Sequence, residues 1–420
     1  MTTFVNRLTA GIDRILPLAE SVYKDLHNHP ELSHQEVRTA GVVAGQLREA
    51  GFEVTEQVGG TGVVGLLRNG EGPTVLLRAD LDALPIQEAT GVPYASTCKG
   101  VNAKGETVPV SHACGHDMHV SWLLAASTVL AGAREAWEGT VMVLFQPAEE
   151  TGEGSQKMLD DGLVARFPRP DVILGQHLMN YRAGVVGVRA GQILTAGDSL
   201  QVRFFGKGGH GGLPQNAIDP ILMAASAVVR LQGIVAREVS PLASSVITVG
   251  EFHAGVAENI IPAEAVLKLN VRNTDPAVRD HVLAAIRRVC IAEAQASNAP
   301  RDPEFTDLSS FPLTVNDADV TRQVGEAFRA QFGAQLVEAQ ALGASEDFSR
   351  YGKAWNAPYT YWFVGGCSPE RYDQATQEGT LAQLPGPHSP FWAPVLEPTL
   401  RTGIETTLAA VGSWLAKAPA

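Results

Sequence analysis

The chain of 420 residues has few cysteines, few aromatic residues and no excess of positive charge. Four scattered cysteines in so long a chain exclude a disulfide framework. A net charge of −13 argues against nucleic acid or an anionic membrane as a partner. No segment approaches the apolar length of a membrane span, and the charged stretch Met1–Leu16 is unlike a signal peptide. We therefore predict a folded, cytoplasmic protein with no nucleic-acid or membrane partner.

What the chain does have is a regular alternation of strand-like and helix-like segments. Continuous apolar runs predict buried strands at 74–78, 140–145 and 171–175, and an apolar helix is predicted at 120–130. Buried strands that alternate with helices indicate an α/β protein with a mainly parallel sheet. Side chains that follow such strands collect at one edge of the sheet, and the predicted strands are followed by Asp80, Glu149, Glu150 and His177.

The pattern changes near residue 195. From there the order strand, helix, strand, strand, helix, strand is predicted, which is typical of a ferredoxin-like α+β domain. Because His388 lies beyond this unit, we interpret the unit as an insertion. The length allows two domains, so we predict a discontinuous domain of residues 1–192 and 308–420 and an inserted domain of residues 193–307.

Two short motifs carry the chemistry. Cys114 and His116 stand two residues apart, and Glu149 and Glu150 are adjacent carboxylates that end an apolar run. A thiol, an imidazole and a carboxylate are the ligands of a hydrolytic metal site, and a second carboxylate can take the proton of an activated water.

Each motif has an alternative interpretation. Cys114 and His116 could form a thiol nucleophile with its base, which would leave the glutamates and two further histidines without a role. Glu149 and Glu150 could be a solvated charge pair, although their position after a buried strand favours a cleft. His112 and His119 flank the site and could support the ligands through hydrogen bonds.

Taken together, the motifs resemble the metal-dependent amidohydrolase branch of the aminoacylase/carboxypeptidase superfamily. This branch includes hippurate hydrolase, N-acyl-amino-acid amidohydrolases and hydrolases of auxin–amino-acid conjugates. The similarity spans nearly the whole chain. The motifs that carry it are His29-Pro30-Glu31-Leu32, Arg78-Ala79-Asp80-Leu81-Asp82-Ala83-Leu84-Pro85, His112-Ala113-Cys114-Gly115-His116-Asp117-Met118-His119, Pro147-Ala148-Glu149-Glu150, Gly206-Lys207-Gly208-Gly209-His210, Asn259-Ile260-Ile261-Pro262 and His388-Ser389-Pro390.

The resemblance implies a zinc-peptidase-like catalytic domain and a lid or dimerisation domain. It implies two divalent metal ions per chain, with zinc the first choice and manganese, cobalt or nickel also suited to the ligands. A thiolate would bridge the two ions, and the implied ligands are Cys114, His116, Glu150, His177 and His388. The wider superfamily has a ligand histidine where this chain has Arg78, so Arg78 and Asp80 are left out of the ligand set.

The resemblance also assigns the catalytic and substrate-binding residues. Glu149 would be the general base and His210 would stabilise the oxyanion, while Asn259 and Arg272 would bind a substrate carboxylate. His210 would serve the site of a neighbouring subunit, which implies a homodimer or a dimer-based tetramer. A purely local role for His210, as a helix cap within its own domain, is the alternative.

The predicted reaction is hydrolysis of the amide bond of a small-molecule N-acyl amino acid, which releases a carboxylic acid and an amino acid. A metallodipeptidase or a carbamoyl-amide hydrolase of the same superfamily is the alternative enzyme. A metal-dependent binding protein without turnover is the alternative of a different class, against which the intact Glu149 argues.

Overall fold

The computed structural model describes residues 3–417, so residues 1, 2 and 418–420 at the predicted domain ends lie outside the described residues. The helices are α1 (Phe4–Asn28), α2 (Val37–Glu49), α3 (His116–Gly132), α4 (Gly154–Asp160), α5 (Leu163–Arg166), α6 (Pro220–Arg237), α7 (Pro276–Ala296), α8 (Ala318–Phe332), α9 (Ser349–Trp355), α10 (Pro369–Glu378) and α11 (Leu396–Leu415). The strands are β1 (Glu53–Val58), β2 (Gly62–Asn69), β3 (Thr74–Asp80), β4 (Lys99–Val101), β5 (Thr107–Pro109), β6 (Gly139–Gln146), β7 (Val172–Arg182), β8 (Val186–Val188), β9 (Gly191–Leu194), β10 (Ala196–Phe205), β11 (Gly209–His210), β12 (Ser245–Ala254), β13 (Ile260–Ile261), β14 (Glu264–Asn273), β15 (Glu304–Phe311), β16 (Thr314–Asn316), β17 (Leu336–Glu338) and β18 (Tyr359–Cys367).

The chain divides into two compact units. The larger unit comprises Met1–Ile193, Val315–Gln340 and Asp347–Ala420, and the smaller one comprises Leu194–Thr314 and Ala341–Glu346. The predicted insert of residues 193–307 therefore stops within β15, whose last four residues mix two serines with Leu308 and Phe311, are half-buried or exposed, and gave no clear strand pattern. The short return of the chain at Ala341–Glu346 also had no periodicity from which it could be predicted.

The larger unit is built around an eight-stranded sheet in the order β1-β2-β6-β3-β7-β18-β8-β17. Its four central strands β6, β3, β7 and β18 run parallel to one another, as their continuous apolar sequences predicted. The outer neighbours β2 and β8 pair with β6 and β18 in the antiparallel direction. Strand β6 buries five successive apolar side chains from Val141 to Phe145, and α1, α3 and α11 contribute to the same core. The prediction of a mainly parallel α/β sheet is confirmed.

The course of β7 differs from the prediction. His177 was expected just beyond a strand that ends near Gly175, but β7 continues to Arg182 and His177 lies inside it. The reason is the unequal length of the two neighbours. Pairing with β3 ends at the register Arg78–Gly175, whereas β18 stays paired with β7 past the register Phe363–His177. His177 consequently lies just past the last pair between β3 and β7, at the edge of the sheet where β3 ends.

The smaller unit is a four-stranded antiparallel sheet in the order β12-β14-β10-β15 with the helices α6 and α7. This is the strand order of the ferredoxin-like arrangement, as predicted. Helix α6 has 18 residues and a mean hydropathy of 1.3, so by length and composition it could cross a membrane, contrary to the expectation that no segment comes close. Met223, Ala227 and Leu231 of α6 are buried in the core of this unit, as in the core helix of a folded domain.

Candidate metal centre

The first motif stands at the start of α3. Gly115 is the N-cap residue, so Cys114 lies in the preceding loop and His116 is the first residue of the helix. Both side chains are buried. The loop is short because the amide of Gly115 bonds to the carbonyl of His112, which turns the chain tightly into the helix. A thiol and an imidazole are thereby held at one end of a buried helix.

The second motif forms an elbow directly after β6. Ala148 adopts a left-handed conformation with φ of 49°, which is uncommon for a residue with a side chain. Pro147, Ala148, Glu149 and Glu150 are called the elbow below. Glu149 is 6% exposed, so the pair is not a solvated charge pair.

Two histidines complete the cluster. The Nδ1 atom of His177 lies 2.6 Å from the carbonyl oxygen of Leu178, to which it can donate, and this leaves the Nε2 lone pair facing Cys114 Sγ at 3.5 Å. His388 comes from the loop before α11 and also has a left-handed backbone, with φ of 70°. Its Nε2 atom lies 3.3 Å from Glu150 Oε1.

The five predicted metal ligands are therefore brought together from distant parts of the chain. Their ligand atoms form two trios that share Cys114, and within each trio the atoms lie within 4.8 Å of one another. One trio contains His116 and His177, and the other contains Glu150 and His388. Glu149 joins His116 and Glu150 in a third trio.

The electrostatics of the cluster favour a bound cation. Burial and the carboxylates of Glu150 and Glu149 raise the pKa of the Cys114 thiol well above its ordinary value. Burial lowers the pKa of His177 well below its ordinary value, which keeps this imidazole neutral. Burial opposes the charged form of His116 as well, but the carboxylates of Asp80, Asp82 and Glu150 raise the pKa of His116 to about 10. The carboxylates around the cluster thus favour a positive charge at His116, as they would favour a cation bound beside it.

The buried polar atoms that lack a hydrogen bond also fit a bound cation. Both ring nitrogens of His116 and the Oε1 atom of Glu150 are buried and make no hydrogen bond among residues 3–417. His116 Nδ1 lies 3.3 Å from Asp82 Oδ1, but outside hydrogen-bond geometry. Buried polar atoms without a partner are costly, and a divalent cation is the partner that a thiol, imidazoles and carboxylates share. The residues present therefore fit divalent metal ions.

A layer of supporting residues lies behind the cluster. His119 Nδ1 donates to Asp80 Oδ1 at 2.6 Å, and its Nε2 atom accepts the amide proton of Leu178, the neighbour of His177. Arg78 donates to the other oxygen of Asp80 at 2.6 Å. Asp80 also forms a trio with His116 and His119, although its two oxygens already accept hydrogen bonds from His119 and Arg78. The sequence pointed to His119 as a possible support but not to its partners Asp80 and Leu178, because these contacts depend on side-chain directions across β3 and α3.

The remaining predicted residues belong to the smaller unit. His210 in β11 pairs with Ile260, and the amide of Gly211 bonds to the carbonyl of Asn259, so His210 and Asn259 are neighbours. The His210 ring accepts the amide proton of Gly212 at Nδ1, which places the ring proton on Nε2. Arg272 lies apart from them in β14, half-buried, where its Nε donates to Asn270 and its Nη1 to Ser345.

Comparisons with known proteins agree with the fold and the cluster. The sequence pattern of Peptidase family M20/M25/M40 matches residues 76–382. Thermostable carboxypeptidase 2 of Saccharolobus solfataricus is 35% identical over 366 residues, which are 86% of this chain and 89% of that protein. Hippurate hydrolase of Campylobacter jejuni is 36% identical over 346 residues, which are 81% of this chain and 87% of that protein. The solved structure of the Bacillus subtilis YXEP protein, a dinuclear metal binding peptidase from the M20 family, has a TM-score of 0.75 and 28% identity, and the match covers 95% of this chain and 98% of that one.

An α/β sheet with thiol, imidazole and carboxylate groups gathered at one edge defines a metal-dependent hydrolase of amide bonds. The chain belongs to peptidase family M20/M25/M40. The resemblance to the amidohydrolase branch, which the motifs predicted, is confirmed, and the substrates of such an enzyme are small molecules.

Proposed function

We propose that the protein hydrolyses N-acyl amino acids with two divalent metal ions per chain. The observation that carries the proposal is the sharing of Cys114 by two ligand trios. A thiolate has lone pairs for two cations, so Cys114 would bridge, while His116 and His177 would hold one ion and Glu150 and His388 the other. When bound, such ions polarise an amide carbonyl and lower the pKa of water towards neutrality.

In this proposal Glu149 is the general base. It adjoins Glu150 in sequence and one of its oxygens lies within 4.8 Å of ligand atoms of Glu150 and His116, so it can reach a water molecule held there. Glu149 would accept the proton of that water as it attacks the carbonyl carbon. It would then deliver the proton to the amide nitrogen, which leaves poorly unless it is protonated.

The smaller unit would supply substrate binding. Arg272 is held by two hydrogen bonds, to Asn270 and Ser345, which supports a role in binding the free carboxylate of the amino-acid half together with Asn259. His210 has its ring proton on the exposed Nε2 atom, the tautomer needed to donate to a developing oxyanion. We infer further that His210 acts in the site of a neighbouring subunit of a homodimer or a dimer-based tetramer, because its own unit provides none of the proposed metal ligands.

A second activity is favoured by one comparison. Thermostable carboxypeptidase 2 is similar to 86% of this chain, so a peptidase that releases a carboxyl-terminal amino acid is the competing proposal. A carbamoyl-amide hydrolase, the other alternative from the sequence, is tested beside it. Hippurate, which is N-benzoylglycine, and a peptide with a free carboxyl end share the group that Arg272 would bind. Zinc suits the ligand set best, and manganese, cobalt and nickel are the other candidates. We place the reaction in the cytoplasm.

A hydrolysis panel with metal analysis tests the proposal. We expect up to two divalent ions per chain, turnover of N-acetyl, N-benzoyl or indoleacetyl amino acids, and loss of turnover with a chelator. Dipeptides and N-carbamoyl amino acids serve as the competing substrates. Oxidation of the Cys114 thiol should also abolish turnover, because the thiolate is the ligand. Full activity in a rigorously metal-free preparation contradicts the proposal.

A further inference from the structure

The segment 31–36 begins within the motif His29-Pro30-Glu31-Leu32, to which the proposed chemistry gives no role. Glu36 ends this segment, is 0% exposed and has no cationic partner among the hydrogen bonds and ion pairs of the described residues. A carboxylate buried without a cation costs several kcal/mol unless hydrogen bonds replace its hydration. Its hydrogen bonds therefore show what the side chain is for.

Glu36 does not support the helix at whose N-cap it stands. Its side chain makes no capping bond to α2. That task falls to Glu31, which accepts the amide protons of Arg38 and Thr39 and the hydroxyl proton of Thr39. Glu36 is thereby available for a contact far away in the sequence.

That contact is the elbow. Glu36 Oε1 accepts the amide proton of Ala148 at 2.8 Å and that of His34 at 2.9 Å, and its Oε2 accepts the hydroxyl proton of Thr61 at 2.6 Å. Ala148 is the residue with the left-handed backbone immediately before Glu149. The Glu36 carboxylate thus binds Ala148, the residue of the elbow with a backbone conformation that is unfavourable for a residue other than glycine.

A second buried carboxylate holds the next two residues. The oxygens of Asp82 accept the amide protons of Glu149 at 3.1 Å and of Glu150 at 3.0 Å, and Ser33 of segment 31–36 donates to Asp82 at 2.7 Å. Three consecutive backbone amides, from Ala148 to Glu150, therefore point at two carboxylates.

The carbonyl side of the elbow is also bound. The carbonyl of Ala148 accepts from the amide of Gly154, and the carbonyl of Glu149 accepts from the amide of Gly152. A side chain at Gly154 would come within 1.6 Å of the Pro147 oxygen, so the backbone at 154 packs directly on the elbow. The carbonyl side is fixed in this way, and on the amide side Glu36 fixes the backbone of Ala148, the residue immediately before Glu149.

We propose that Glu36 is a positioning residue that fixes the left-handed Ala148 and thereby aims the Glu149 carboxylate at the water it deprotonates. The effect on the reaction rests on the proposed role of Glu149. A misplacement of about 1 Å can lower a rate on the order of a hundredfold, so a small relaxation of the elbow is enough to reduce turnover. Burial and the nearby Asp82 raise the pKa of Glu36 to about 7, which means that the folded state disfavours a negative charge at this position.

The test compares Glu36→Ala with Glu31→Ala. Both glutamates accept two backbone amide protons and one threonine hydroxyl proton, so both substitutions remove the same kinds of bond. We expect similar losses of thermal stability, but a fall in kcat of at least tenfold per metal-loaded chain only for Glu36→Ala, with KM nearly unchanged. Equal kcat values for the two folded variants would overturn the proposal.

Two conservative variants separate position from charge and guard against a misfolded alanine variant. Glu36→Gln keeps the reach to the Ala148 amide without the charge, and Glu36→Asp keeps the charge without the reach. A positioning role predicts that Glu36→Gln retains most of kcat and that Glu36→Asp loses about as much as alanine. The reverse order would mean that Glu36 acts through its charge and would overturn the proposal.

Hydrogen exchange of the metal-free protein gives a readout independent of turnover. Glu36→Ala should speed exchange of the Ala148 amide proton by tenfold or more, whereas Glu31→Ala should leave that rate unchanged. An unchanged rate in Glu36→Ala would show that Glu36 does not hold the Ala148 amide. If Glu149→Gln kept full activity, the proposed function would fail, while this exchange result would still decide whether Glu36 holds the elbow.

Discussion

Most of the side chains proposed to function in the two units differ in how far they are exposed. In the larger unit Cys114, His116 and Glu149 are buried, and hydrogen bonds within the unit fix the backbone of the elbow. In the smaller unit His210 and Asn259 are exposed. His210 ends the two-residue strand β11, and Asn259 immediately precedes the two-residue strand β13. Bond cleavage needs groups held in place before the substrate arrives, whereas substrate recognition tolerates groups that adjust on binding.

This difference explains what the comparisons leave open. A carboxypeptidase and a hippurate hydrolase are both similar to this chain over more than four fifths of its length. We therefore propose that the ligand cluster and the elbow determine the reaction but not the acyl group. We therefore expect substitutions in the larger unit to lower kcat for every substrate, and substitutions in the smaller unit to change KM and the preference among substrates. The following predictions test that division in order of expected effect.

The largest effect is expected for Glu149→Gln. Loss of the general base should lower kcat on the order of a hundredfold or more, while metal content stays unchanged. Glu150→Gln serves as the comparison, because it should instead weaken metal binding at the position shared with His388 and Cys114. Metal analysis and kcat of both variants decide the matter. A Glu149→Gln enzyme near the wild-type rate would mean that the wrong carboxylate was assigned.

His210 challenges the division directly, because an exposed group of the smaller unit is proposed to act on the reacting carbonyl. His210→Ala should lower kcat roughly a hundredfold, as expected for one lost oxyanion donor. If His210 serves the neighbouring subunit, mixing this variant with Glu149→Gln creates heterodimers in which one site has both lesions and the other has none. In an equal mixture with random exchange, about half of the dimers are heterodimers and each has one intact site. About one quarter of wild-type activity should therefore return, if a site that lacks the oxyanion donor or the base contributes almost nothing.

Subunit exchange has to be demonstrated separately, for example by fluorescence transfer between labelled variants. Exchange without recovery of activity would exclude the role in a neighbouring site and leave only a role within the same chain. In that case the local alternative remains, in which the His210 ring merely accepts the Gly212 amide proton and shapes the loop before the turn at Pro214–Asn216.

Arg272 should show the effect on binding alone. Arg272→Lys removes the donors that are held by Asn270 and Ser345, so KM should rise roughly tenfold to a hundredfold with little change in kcat. Gly197→Ala is a sharper version, because its added methyl group would lie 2.6 Å from Ser345 Oγ and 2.9 Å from Arg272 Nη1 and would shift the guanidinium without removing it. A substrate that lacks the free carboxylate is the control, and its KM should not respond.

The sequence could predict those parts that depend on local pattern. Buried strands and the ferredoxin-like order were predicted because each element carries its own apolar period. The placement of Asp80, Glu149 and Glu150 at one edge follows from the ends of β3 and β6, which meet there. The roles of Glu36 and Asp82 could not be predicted, because an acceptor for a backbone amide can stand anywhere in the chain, and Glu36 lies 112 residues from its partner Ala148.

His27 shows the same limit and gives the last prediction. The His27 ring is buried between two carboxylates, with Nδ1 2.6 Å from Asp117 and Nε2 3.1 Å from Glu88, and both partners are distant in the sequence. Burial alone would lower the pKa of His27, yet these two hydrogen bonds outweigh it and raise that pKa to about 9. The charged imidazole is therefore part of the folded state of the larger unit.

The sign of the pH dependence follows from this raised pKa. In the unfolded chain the His27 pKa is 6.5, so the folded protein holds the proton more tightly. Its contribution, on the order of 3 kcal/mol by the usual conversion, is complete below pH 6.5 and is lost as the pH rises to about 9. Urea unfolding of the chelated protein at pH 6, 7.5 and 9.5 should show this decline in wild type and a flatter profile in His27→Gln. His253→Gln, at an exposed site beside Glu251, is the matched control and should keep the wild-type slope. Parallel profiles for wild type and His27→Gln would show that the charge of His27 does not stabilise the fold, and the rigidity of the larger unit would then rest on its backbone hydrogen bonds and apolar core alone.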